Sequence, residues 1–567
     1  MTESVATTAV ASEPALWVAA PVPPAAARLE REGLPGWLAA LLARRGVEDR
    51  EGADRFLTPA ADQLHDPYLL TGLREAVERL AAARERGERV AVVGDYDVDG
   101  VTSTALLVAV FRACGIEAEE ILPHRLREGY GFQPLHVDRA RELGCAVVVT
   151  ADCGVSSAEA VTAAAAAGID VIVTDHHLPG ASTPTGAILV NPRQEGCGYP
   201  FPDLAGVGLA LKLALAVAER CGRRAPLAQL LRIACLGTIA DLVPLTGENR
   251  VIAALGLAAL GETRSPGLRA LFRCAGVQPP LTAADVGFRL GPRINAAGRL
   301  DDAARALELL LARDPARAER LAEDLDGWNR ARREEEERVV EEARAALAER
   351  SPLPPIAIAW REGWHPGVVG IAAGRIAREL NRPALLLAPA GGVASGSGRS
   401  IPGIALHAFL ERWAGELERF GGHAQAIGLA VALDRLPRLA AAWEEAAAEW
   451  PAELLVRRHE YELELTPVGV DRRLMAGLAR LEPTGQGNPQ PLARVGPMKL
   501  LFAPRRFGRD HLSAVAQGDD GGRLALVGWR WGERADRLAG RFEALGHLEH
   551  DRYRGAPVLR LLDTRPA

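Results

Sequence analysis

The 567-residue sequence contains no uninterrupted apolar run of about 20 residues, the length that a membrane-spanning helix requires. Its first residues also lack the basic start and the long apolar stretch of a secretory signal. The seven cysteines form no Cys-x-x-Cys pair and no zinc-type spacing with histidine. These absences argue against a membrane protein, a disulfide scaffold and a thiolate zinc site, so we expect reduced thiols and a cytoplasmic location.

Basic residues are not in excess. Lys and Arg number 67 against 73 Asp and Glu, a formal net charge of −6. This balance does not indicate a nucleic-acid-binding protein, whose phosphate contacts come from lysine and arginine. It does not exclude one either, because an acidic protein of several domains can still line one groove with arginines.

The pattern along the chain predicts several domains. From residue 89, short β-rich runs such as RVAVVG, CAVVVT and DVIVT alternate with Ala- and Leu-rich helical patterns, which indicates a mostly parallel α/β sheet. Short alternating strands such as YELEL and HLSAVAQ end the chain and predict a β-barrel. The predicted division is an N-terminal extension (1–75), a first α/β domain (76–315), a connector helix (316–350), a second α/β domain (351–452) and the barrel (453–567).

Carboxylate and imidazole side chains follow three of the predicted strands. They are Asp95, Asp97 and Asp99 after VAVVG, Asp152 after VVVTA, and Asp175, His176 and His177 after VIVT. Because the carboxyl ends of parallel strands share one crevice, we expect these side chains to meet. A further acid, Asp241, lies in the apolar stretch CLGTIADLVPL, where an ionised carboxylate needs a partner or a metal.

Crowded carboxylates repel one another, and a pair of hard divalent cations about 4 Å apart removes the repulsion and activates water. Oxygen ligands with one or two imidazoles suit manganese or magnesium, so phosphoester hydrolysis is the predicted reaction. Alone, the DxDxDG pattern would be typical of a calcium loop, but an EF-hand also needs flanking helices and a downstream glutamate. Cys153 adjoins Asp152 but has no dedicated base, so we do not interpret it as a nucleophile.

Four blocks carry a resemblance to a known family. They are GDYDVDG (94–100), ADCG (151–154), TDHHLPG (174–180) and GTIADLVPL (237–245). These blocks resemble the motifs of the DHH phosphoesterases, and GPRINAAGRLDDA, SGSGRSIPG, GGHAQAIG and EPTGQGNPQP resemble those of its RecJ exonuclease branch. The chain departs from the family pattern at Thr484 and Ile427, where Phe and Ala are common.

The resemblance implies a 5′→3′ exonuclease specific for single-stranded DNA that acts in recombination and repair, with two Mn²⁺ or Mg²⁺ ions. It implies a DHH parallel-sheet domain, a DHHA1-type domain joined to it by a long helix, and an OB-like barrel. The metal ligands that it implies are Asp95, Asp97, Asp99, Asp152, His176 and Asp241. Asp152, His176 and His177 would be catalytic, with His177 as a charge stabiliser beside the scissile phosphate.

The resemblance also implies DNA contacts. Ser397 and Arg399, in a Gly/Ser-rich segment interpreted as a flexible loop, would hold the 5′ phosphate with help from Arg125 or Arg127. The other proposed contacts are His423, Arg293 and Arg299 along the strand, Phe507 and Trp529 in the barrel, and, less specifically, Phe502, Arg505, Arg506, Arg509, Arg530, Trp531 and His365. The implied partners are a single-strand-binding protein and a RecQ-type helicase. We take a monomer as the default state and expect a nucleoid-associated enzyme.

Two other functions remain open at this point. A DHH phosphodiesterase for short oligonucleotides or cyclic dinucleotides would share the acidic cluster, but such chains are shorter and lack the barrel. A non-catalytic replication scaffold would share the architecture but would have lost metal ligands. The complete set of acidic and histidine residues argues against the scaffold.

Overall fold

The structure is a computed structural model that describes residues 15–125, 127–129, 131–180, 183–350, 352–508, 510–551 and 555–567. It contains two compact units: residues 15–18 with Asn329–Glu460, and Ala19–Trp328 with Tyr461–Ala567. Within the described residues, no helix is both long enough and apolar enough to cross a membrane.

The N-terminal segment is mainly helical. It contains β1 (Leu16–Ala19), α1 (Ala25–Arg31), α2 (Gly36–Arg44), α3 (Arg50–Leu57) and α4 (Leu73–Arg86). Helix α3 begins after Asp49, whose side chain accepts a hydrogen bond from the Gly52 amide at 2.9 Å and so caps the helix.

The first sheet is parallel throughout. Its strands are β2 (Arg89–Gly94), β3 (Ala118–Ile121), β4 (Cys145–Ala151), β5 (Asp170–Thr174) and β6 (Ile188–Val190), in the spatial order β3-β2-β4-β5-β6. Alternate residues of these strands belong to two different hydrophobic clusters, because helices cover both faces. The chain runs outward from β2 to β3 and then returns to β4 on the other side. The strand order therefore reverses between β2 and β4, and such a reversal is where open α/β sheets bind ligands.

Ten helices that the structure describes surround or follow this sheet. They are α5 (Val98–Ala113), α6 (Pro134–Glu142), α7 (Ala158–Ala166), α8 (Gly206–Arg220), α9 (Leu227–Ala240), α10 (Gly247–Gly261), α11 (Pro266–Ala275), α12 (Ala283–Asp285), α13 (Gly291–Leu300) and α14 (Ala304–Leu311). Helix α5 is buried nearly all round because it packs against α8, α9 and the sheet. The predicted connector helix is present as α15 (Pro315–Ala348).

The second sheet is mixed. Its strands are β7 (Ala357–Trp360), β8 (Ala384–Ala390), β9 (Val393–Arg399), β10 (Arg419–His423) and β11 (Ala426–Ala432), in the order β10-β11-β9-β8-β7. Only β7 and β8 are parallel among its pairs. The accompanying helices are α16 (Pro366–Leu380), α17 (Leu406–Glu411), α18 (Leu436–Ala447) and α19 (Ala452–Leu455).

The interpretation of SGSGRS as a flexible loop is wrong. These residues lie on β9, a central strand that pairs with β8 on one side and β11 on the other. A Cβ on Gly396 would lie 2.5 Å from the Leu386 carbonyl oxygen, and one on Gly398 would lie 2.6 Å from the Ile427 side chain. The glycines therefore allow close packing rather than flexibility. The backbone amides of β9 form hydrogen bonds with the neighbouring strands.

The C-terminal strands form a closed barrel. The elements are β12 (Arg458–Tyr461), β13 (Leu463–Leu465), α20 (Arg472–Ala479), β14 (Leu492–Leu500), β15 (Arg505–Phe507), β16 (His511–Gly518), β17 (Arg523–Gly528), β18 (Arg541–Asp551) and β19 (Ala556–Pro566). Strand order is β13-β14-β18-β19-β17-β16-β15, and an additional pairing of β14 with β16 closes five strands into a ring. Strand β1 pairs with β12.

Helices α1, α2 and α3 share one hydrophobic core with this barrel. Leu29, Leu41 and Leu42 are fully buried in the same cluster as Phe542 and Leu559. The segment predicted as an extension is thus packed against residues about five hundred positions later in the chain. No local sequence pattern indicates such a contact, because each amphipathic helix could have packed on any apolar surface.

Candidate functional site

The first acidic cluster lies at the carboxyl end of β2, where the chain turns into α5. Asp97 caps α5, since its Oδ1 accepts a hydrogen bond from the Gly100 amide at 3.0 Å. The two oxygens of the Asp99 carboxylate accept hydrogen bonds from the amides of Gly206 at 2.7 Å and Val207 at 2.9 Å. The N-terminus of α8 thereby holds Asp99, as expected for an anion at the positive end of a helix.

Asp152 follows β4 in a left-handed backbone conformation, with φ of +65°. Non-glycine residues adopt this conformation at an energetic cost, and such residues concentrate at functional sites. A Cβ on Gly206 would lie 2.5 Å from Asp152 Oδ1, so only glycine at this position lets α8 approach so closely. The backbone at both residues is shaped to bring the Asp152 carboxylate into the crevice.

The structure brings all six predicted ligands together at the reversal between β2 and β4. They form two triads, Asp95 with Asp97 and Asp152, and Asp99 with His176 and Asp241, and a third group of Asp152, His176 and His177 overlaps both. Within each triad the potential ligand atoms lie within 4.8 Å of one another. His176 joins the triads, because its Nε2 lies 3.2 Å from Asp152 Oδ1 and 3.6 Å from Asp241 Oδ2.

Burial and mutual repulsion shift the pKa values of these carboxyls upward. Burial, with the charge of Asp97, raises the pKa of Asp95 to about 8 and that of Asp99 to about 7. Burial and neighbouring carboxylates raise the pKa of Asp241 to about 9 and hold that of Asp152 well above its usual value. Without a compensating positive charge, the cluster is therefore electrostatically unfavourable when ionised.

The same residues fit divalent cations. Asp95 Oδ1, Asp152 Oδ1 and His176 Nε2 are buried and make no protein hydrogen bond among the described residues. Burial lowers the pKa of His176 to about 4, so its imidazole is neutral and can offer a lone pair. Unsatisfied buried acceptors beside unneutralised carboxylates are what a cation site of the Mn²⁺ or Mg²⁺ kind provides.

We expect the free energy of unfolding of the metal-free protein to fall as the pH rises from about 5 to 9. The folded-state pKa values of Asp95, Asp99 and Asp241 lie above the usual value, so at these three carboxyls the folded state binds more protons than the unfolded state. Stability therefore decreases with pH, and the lowered pKa of His176 opposes this trend only at the acidic end of the range. Urea unfolding in the presence of chelator, repeated along a pH series, measures this slope.

Asp152→Asn provides the matched test of that slope, because it removes from the cluster one buried carboxyl whose pKa is raised. In chelator the variant should lose less stability than the wild type as the pH rises, and it should gain less stability from added Mn²⁺. Asp138→Asn, at an exposed acid that pairs with Arg141, is the control. A wild-type stability that is flat or rises over the pH series would contradict the electrostatic account.

His177 lies beside His176, with ring centroids 4.5 Å apart, and is paired with Asp175. Its Nδ1 lies 2.7 Å from Asp175 Oδ1, and its side chain is 41% exposed, whereas that of Asp175 is 1% exposed. Asp175 Oδ2 accepts a hydrogen bond from the Val155 amide at 2.8 Å. Burial opposes protonation of His177, but the hydrogen bond and charge of Asp175 outweigh it and raise the pKa of His177. The sequence marks Asp175 as part of the block without assigning it this role.

Two of the predicted arginines lie beside the cluster. The Arg125 guanidinium stacks over the Tyr96 ring at 4.8 Å, and its positive charge acts to lower the pKa of Asp95. Burial raises the pKa of Tyr96 to about 12, and the nearby positive charge of Arg299 partly offsets this rise. A Cβ on Gly298 would lie 2.6 Å from the Tyr96 carbonyl oxygen, so α13 packs tightly here. A third predicted arginine, at position 127, is exposed.

The guanidinium of Arg293 is engaged by other protein groups and is not available to a substrate. Its Nε donates to Asp326 Oδ1 at 2.9 Å, and its other nitrogens donate to the carbonyls of Arg289 and Cys274. The side chain is 12% exposed. These contacts fix α13 to α15 and to the π-helical segment Val286–Leu290, so the structure does not support the predicted contact of Arg293 with DNA.

Cys153 is fully buried, and burial raises the pKa of its thiol well above the ordinary value. A buried neutral thiol is a poor nucleophile, in line with the interpretation from sequence.

In the other unit, Ser397 and Arg399 form a small polar group on β9. Arg399 Nη1 donates to Ser397 Oγ at 2.8 Å, and Ser397 Oγ donates to the Ile427 carbonyl at 3.0 Å. A Cβ on Gly370 would lie 3.1 Å from Ser397 Oγ, so glycine lets α16 lie against this group.

Two predicted histidines of this unit differ in their surroundings. His423 is exposed on β10. His365 caps α16, because its Nδ1 accepts a hydrogen bond from the Gly367 amide at 3.1 Å. His365 therefore has a structural role.

The barrel carries an exposed aromatic group. Phe507 and Trp529 have ring centroids 5.7 Å apart, and His511, which the sequence does not single out, lies 4.7 Å from Trp529. Phe502 is also exposed, and Trp531 is buried in the barrel core. Three of the predicted basic contacts are exposed, namely Arg505, Arg506 and Arg530. The fourth, Arg509, lies outside the described residues. The exposed rings offer a surface of the kind on which nucleobases stack.

The chain matches three family descriptions: "DHH family, N-terminal domain" over residues 89–238, "DHHA1 domain" over 354–449, and "RecJ OB domain" over 461–562. The single-stranded-DNA-specific exonuclease RecJ of Dickeya dadantii is 39% identical over 517 residues, which cover 87% of this chain and 88% of the relative.

Two crystal structures from Thermus thermophilus agree with the fold. RecJ in complex with Mn²⁺ matches with a TM-score of 0.82 and 32% identity, covering 97% of this chain and 80% of that one. RecJ in complex with Mg²⁺ matches with a TM-score of 0.77 and 30% identity, covering 97% and 78%. These similarities extend over the parallel sheet, the mixed sheet and the barrel, and the chain belongs to the RecJ family of single-stranded-DNA-specific exonucleases.

Proposed function

We propose that this protein hydrolyses single-stranded DNA from the 5′ end by a two-metal mechanism, releasing mononucleotides. The observation that carries the proposal is the pair of triads at the reversal point of the parallel sheet. Family membership supplies the substrate class, and the motif resemblance supplies the direction. Roles in recombination and repair follow from the same membership.

Asp95, Asp97 and Asp152 would hold one ion, and Asp99, His176 and Asp241 the other. Bound there, two Mn²⁺ or Mg²⁺ ions would neutralise the carboxylates and activate water for attack on phosphorus. The hydrogen bonds from two α8 amides favour the ionised form of Asp99 and orient it. The left-handed backbone of Asp152 would hold its carboxylate in the first triad, where its Oδ1 lies 3.2 Å from His176 Nε2 of the second.

His177 and Arg125 would act on the scissile phosphate rather than on the metals. Asp175 fixes the ring of His177 and favours its protonated form, which suits a residue that offsets negative charge as the phosphate is attacked. Arg125 and Arg299 bring positive charge beside Tyr96 at the edge of the cluster, where the incoming strand would carry its phosphates.

The strand itself would be bound at two further places. Ser397 and Arg399, with His423, supply a hydroxyl, a guanidinium and an imidazole for the terminal 5′ phosphate. Because the β9 amides form hydrogen bonds with neighbouring strands, side chains rather than backbone amides would make these phosphate contacts. Phe507 and Trp529 would stack on bases of the trailing strand, and neighbouring arginines would contact its backbone.

We extend the proposal to a cytoplasmic, nucleoid-associated monomer that works with a single-strand-binding protein and a RecQ-type helicase. The family resemblance supports the two protein partners, and the monomer is our default. We also retain the predicted division into five segments. The three matched ranges, 89–238, 354–449 and 461–562, fall inside three of those segments.

The test is nucleotide release from a single-stranded DNA labelled at either end, with Mn²⁺, Mg²⁺ or chelator present. We expect metal-dependent loss of a 5′ label as mononucleotide, with the 3′ label retained in progressively shorter strands. The same sequence annealed to its complement should resist degradation. Tight strand binding without degradation in any metal would instead favour the non-catalytic scaffold.

A further inference from the structure

A turn that leads into the barrel touches the loop that follows Asp241. We call residues 485–488 the barrel turn; its ends are joined by hydrogen bonds from the Gly485 amide to the Asn488 carbonyl at 2.8 Å and back at 3.2 Å. The Leu245 amide donates to the carbonyl of Gln486 at 2.7 Å. A Cβ on Gly485 would lie only 2.7 Å from Leu245 Cδ1. The barrel turn therefore contacts Leu245 through both backbone and side chain, and a methyl group added at Gly485 would meet the tip of the Leu245 side chain.

Buried polar side chains hold the barrel turn rigidly. Asn488 is fully buried, donates to the carbonyls of Leu481 and Pro483, and accepts from Arg45 Nε at 2.6 Å. Arg250 is 2% exposed and donates hydrogen bonds to five backbone carbonyls, those of Phe56, Arg480, Leu481, Glu482 and Pro483. A buried network of this kind specifies one geometry. The barrel turn is thus a fixed surface against which Leu245 packs.

Asp241 depends on its backbone for its position more than Asp97 and Asp99 do. Asp97 and Asp99 accept hydrogen bonds from backbone amides. In the part of the chain that the structure describes, His176 is the one side chain that pairs with the Asp241 carboxylate, at 3.6 Å. The orientation of Asp241 is therefore set by the end of α9 and by the three residues between Asp241 and Leu245.

That short connection is itself constrained on its far side. Leu245 is 2% exposed, and the preceding Pro244 carbonyl accepts a hydrogen bond from Asn249 Nδ2 at 3.1 Å. Asn249 Nδ2 also donates to the Asp203 carbonyl at 2.6 Å, in the loop that leads to α8. The connection is short and held at both ends, so a displacement of Leu245 is passed on to Asp241. Metal sites lose affinity when a ligand moves by about 0.5 Å.

We propose that the barrel turn is a positioning element for Asp241, acting through Leu245, and that it sets the metal affinity of the triad that contains Asp241. The inference rests on the proposed two-metal function. The segment that leads into the barrel would then help to position one member of the metal cluster, in addition to the part of the barrel in strand binding. A side chain at Gly485 would push against the tip of the buried Leu245 side chain, which has to turn or shift to make room.

The test is Gly485→Ala in the full-length protein, with Mn²⁺ binding measured by calorimetry in the absence of DNA. We expect the Kd for one of the two ions to rise roughly tenfold or more, as when an outer-shell partner of a metal ligand is lost. Activity should recover at saturating Mn²⁺, with the KM for single-stranded DNA unchanged. Gly198→Ala, where an added Cβ meets nothing within 4 Å, is the control.

A second variant separates positioning from general damage. Leu245→Val shortens the side chain that Gly485→Ala would strike, so the double variant should bind Mn²⁺ more tightly than Gly485→Ala alone. If Gly485→Ala does not fold, the Mn²⁺ Kd of the single variant Leu245→Val tests the proposal instead, and we expect a smaller rise in that Kd. Unchanged Mn²⁺ affinity in the folded variant, or a loss that the double variant does not relieve, would overturn the proposal. Because Mn²⁺ binding is measured without DNA, a wild type that binds Mn²⁺ but degrades no DNA refutes the proposed function and leaves this inference standing.

Discussion

Asp152→Ala is expected to lower kcat for single-stranded DNA by about 10³-fold or more, equivalent to about 4 kcal/mol of barrier. Asp152 belongs to one metal triad and touches His176 of the other, so its loss disturbs both ion sites. Strand binding should be nearly unchanged, because the aromatic barrel surface and the Ser397 group do not involve Asp152. Single-turnover cleavage and fluorescence anisotropy with a labelled oligonucleotide measure the two quantities separately.

Asp152→Asn is the sharper form of this experiment. The backbone at Asp152 is left-handed, with φ of +65°, and asparagine tolerates that conformation better than alanine does. If the loss of activity came from misfolding, Asn would retain much more activity than Ala. If it comes from the lost carboxylate charge, both variants should be similarly inactive, while Asp138→Asn at an exposed position remains fully active. Equal turnover of Asp152→Asn and wild type would remove Asp152 from the mechanism.

Most residues of the site can be predicted from the sequence because they lie at the ends of strands. Asp95, Asp152 and His176 each follow a run of buried β-branched residues, and the topology of a parallel sheet brings such positions together. The groups that tune the site are less accessible. The amide of Gly206 acts through backbone geometry, and Asp175 acts through a hydrogen bond whose direction the sequence does not contain.

The differences between expectation and structure also have physical causes. Glycine and serine have low strand propensity, so SGSGRS suggests a loop, but β9 is crowded by Leu386 and Ile427 and admits little else. The motif around Arg293 suggests a DNA contact, whereas Asp326, on a helix that starts more than twenty residues later, engages its guanidinium. Helices α1 to α3 pack on the barrel through contacts between residues far apart in the sequence. Other apolar surfaces could have accepted these helices equally well, so the sequence does not indicate this packing.

Asp175→Asn is expected to lower kcat by roughly 10²-fold while leaving the Mn²⁺ Kd and the KM for DNA nearly unchanged. Asp175 accepts from the Val155 amide with one oxygen and contacts His177 Nδ1 with the other. An asparagine amide has only one acceptor oxygen, so its NH₂ group must face one of these two donors. Either arrangement weakens the orientation of His177 and removes the charge that favours its protonation.

The role of Asp175 through His177 is isolated by comparing it with His177→Ala and with the double variant. His177→Ala should lower kcat by about 10²- to 10³-fold, because it removes a charge-stabilising donor beside the scissile phosphate. If Asp175 acts only through His177, adding Asp175→Asn to His177→Ala should cost little further activity, since residues that act as a unit are not additive. Additive losses, or a weaker Mn²⁺ affinity in Asp175→Asn, would mean that Asp175 supports the metal cluster itself, for instance by orienting His176 in the same strand-end turn.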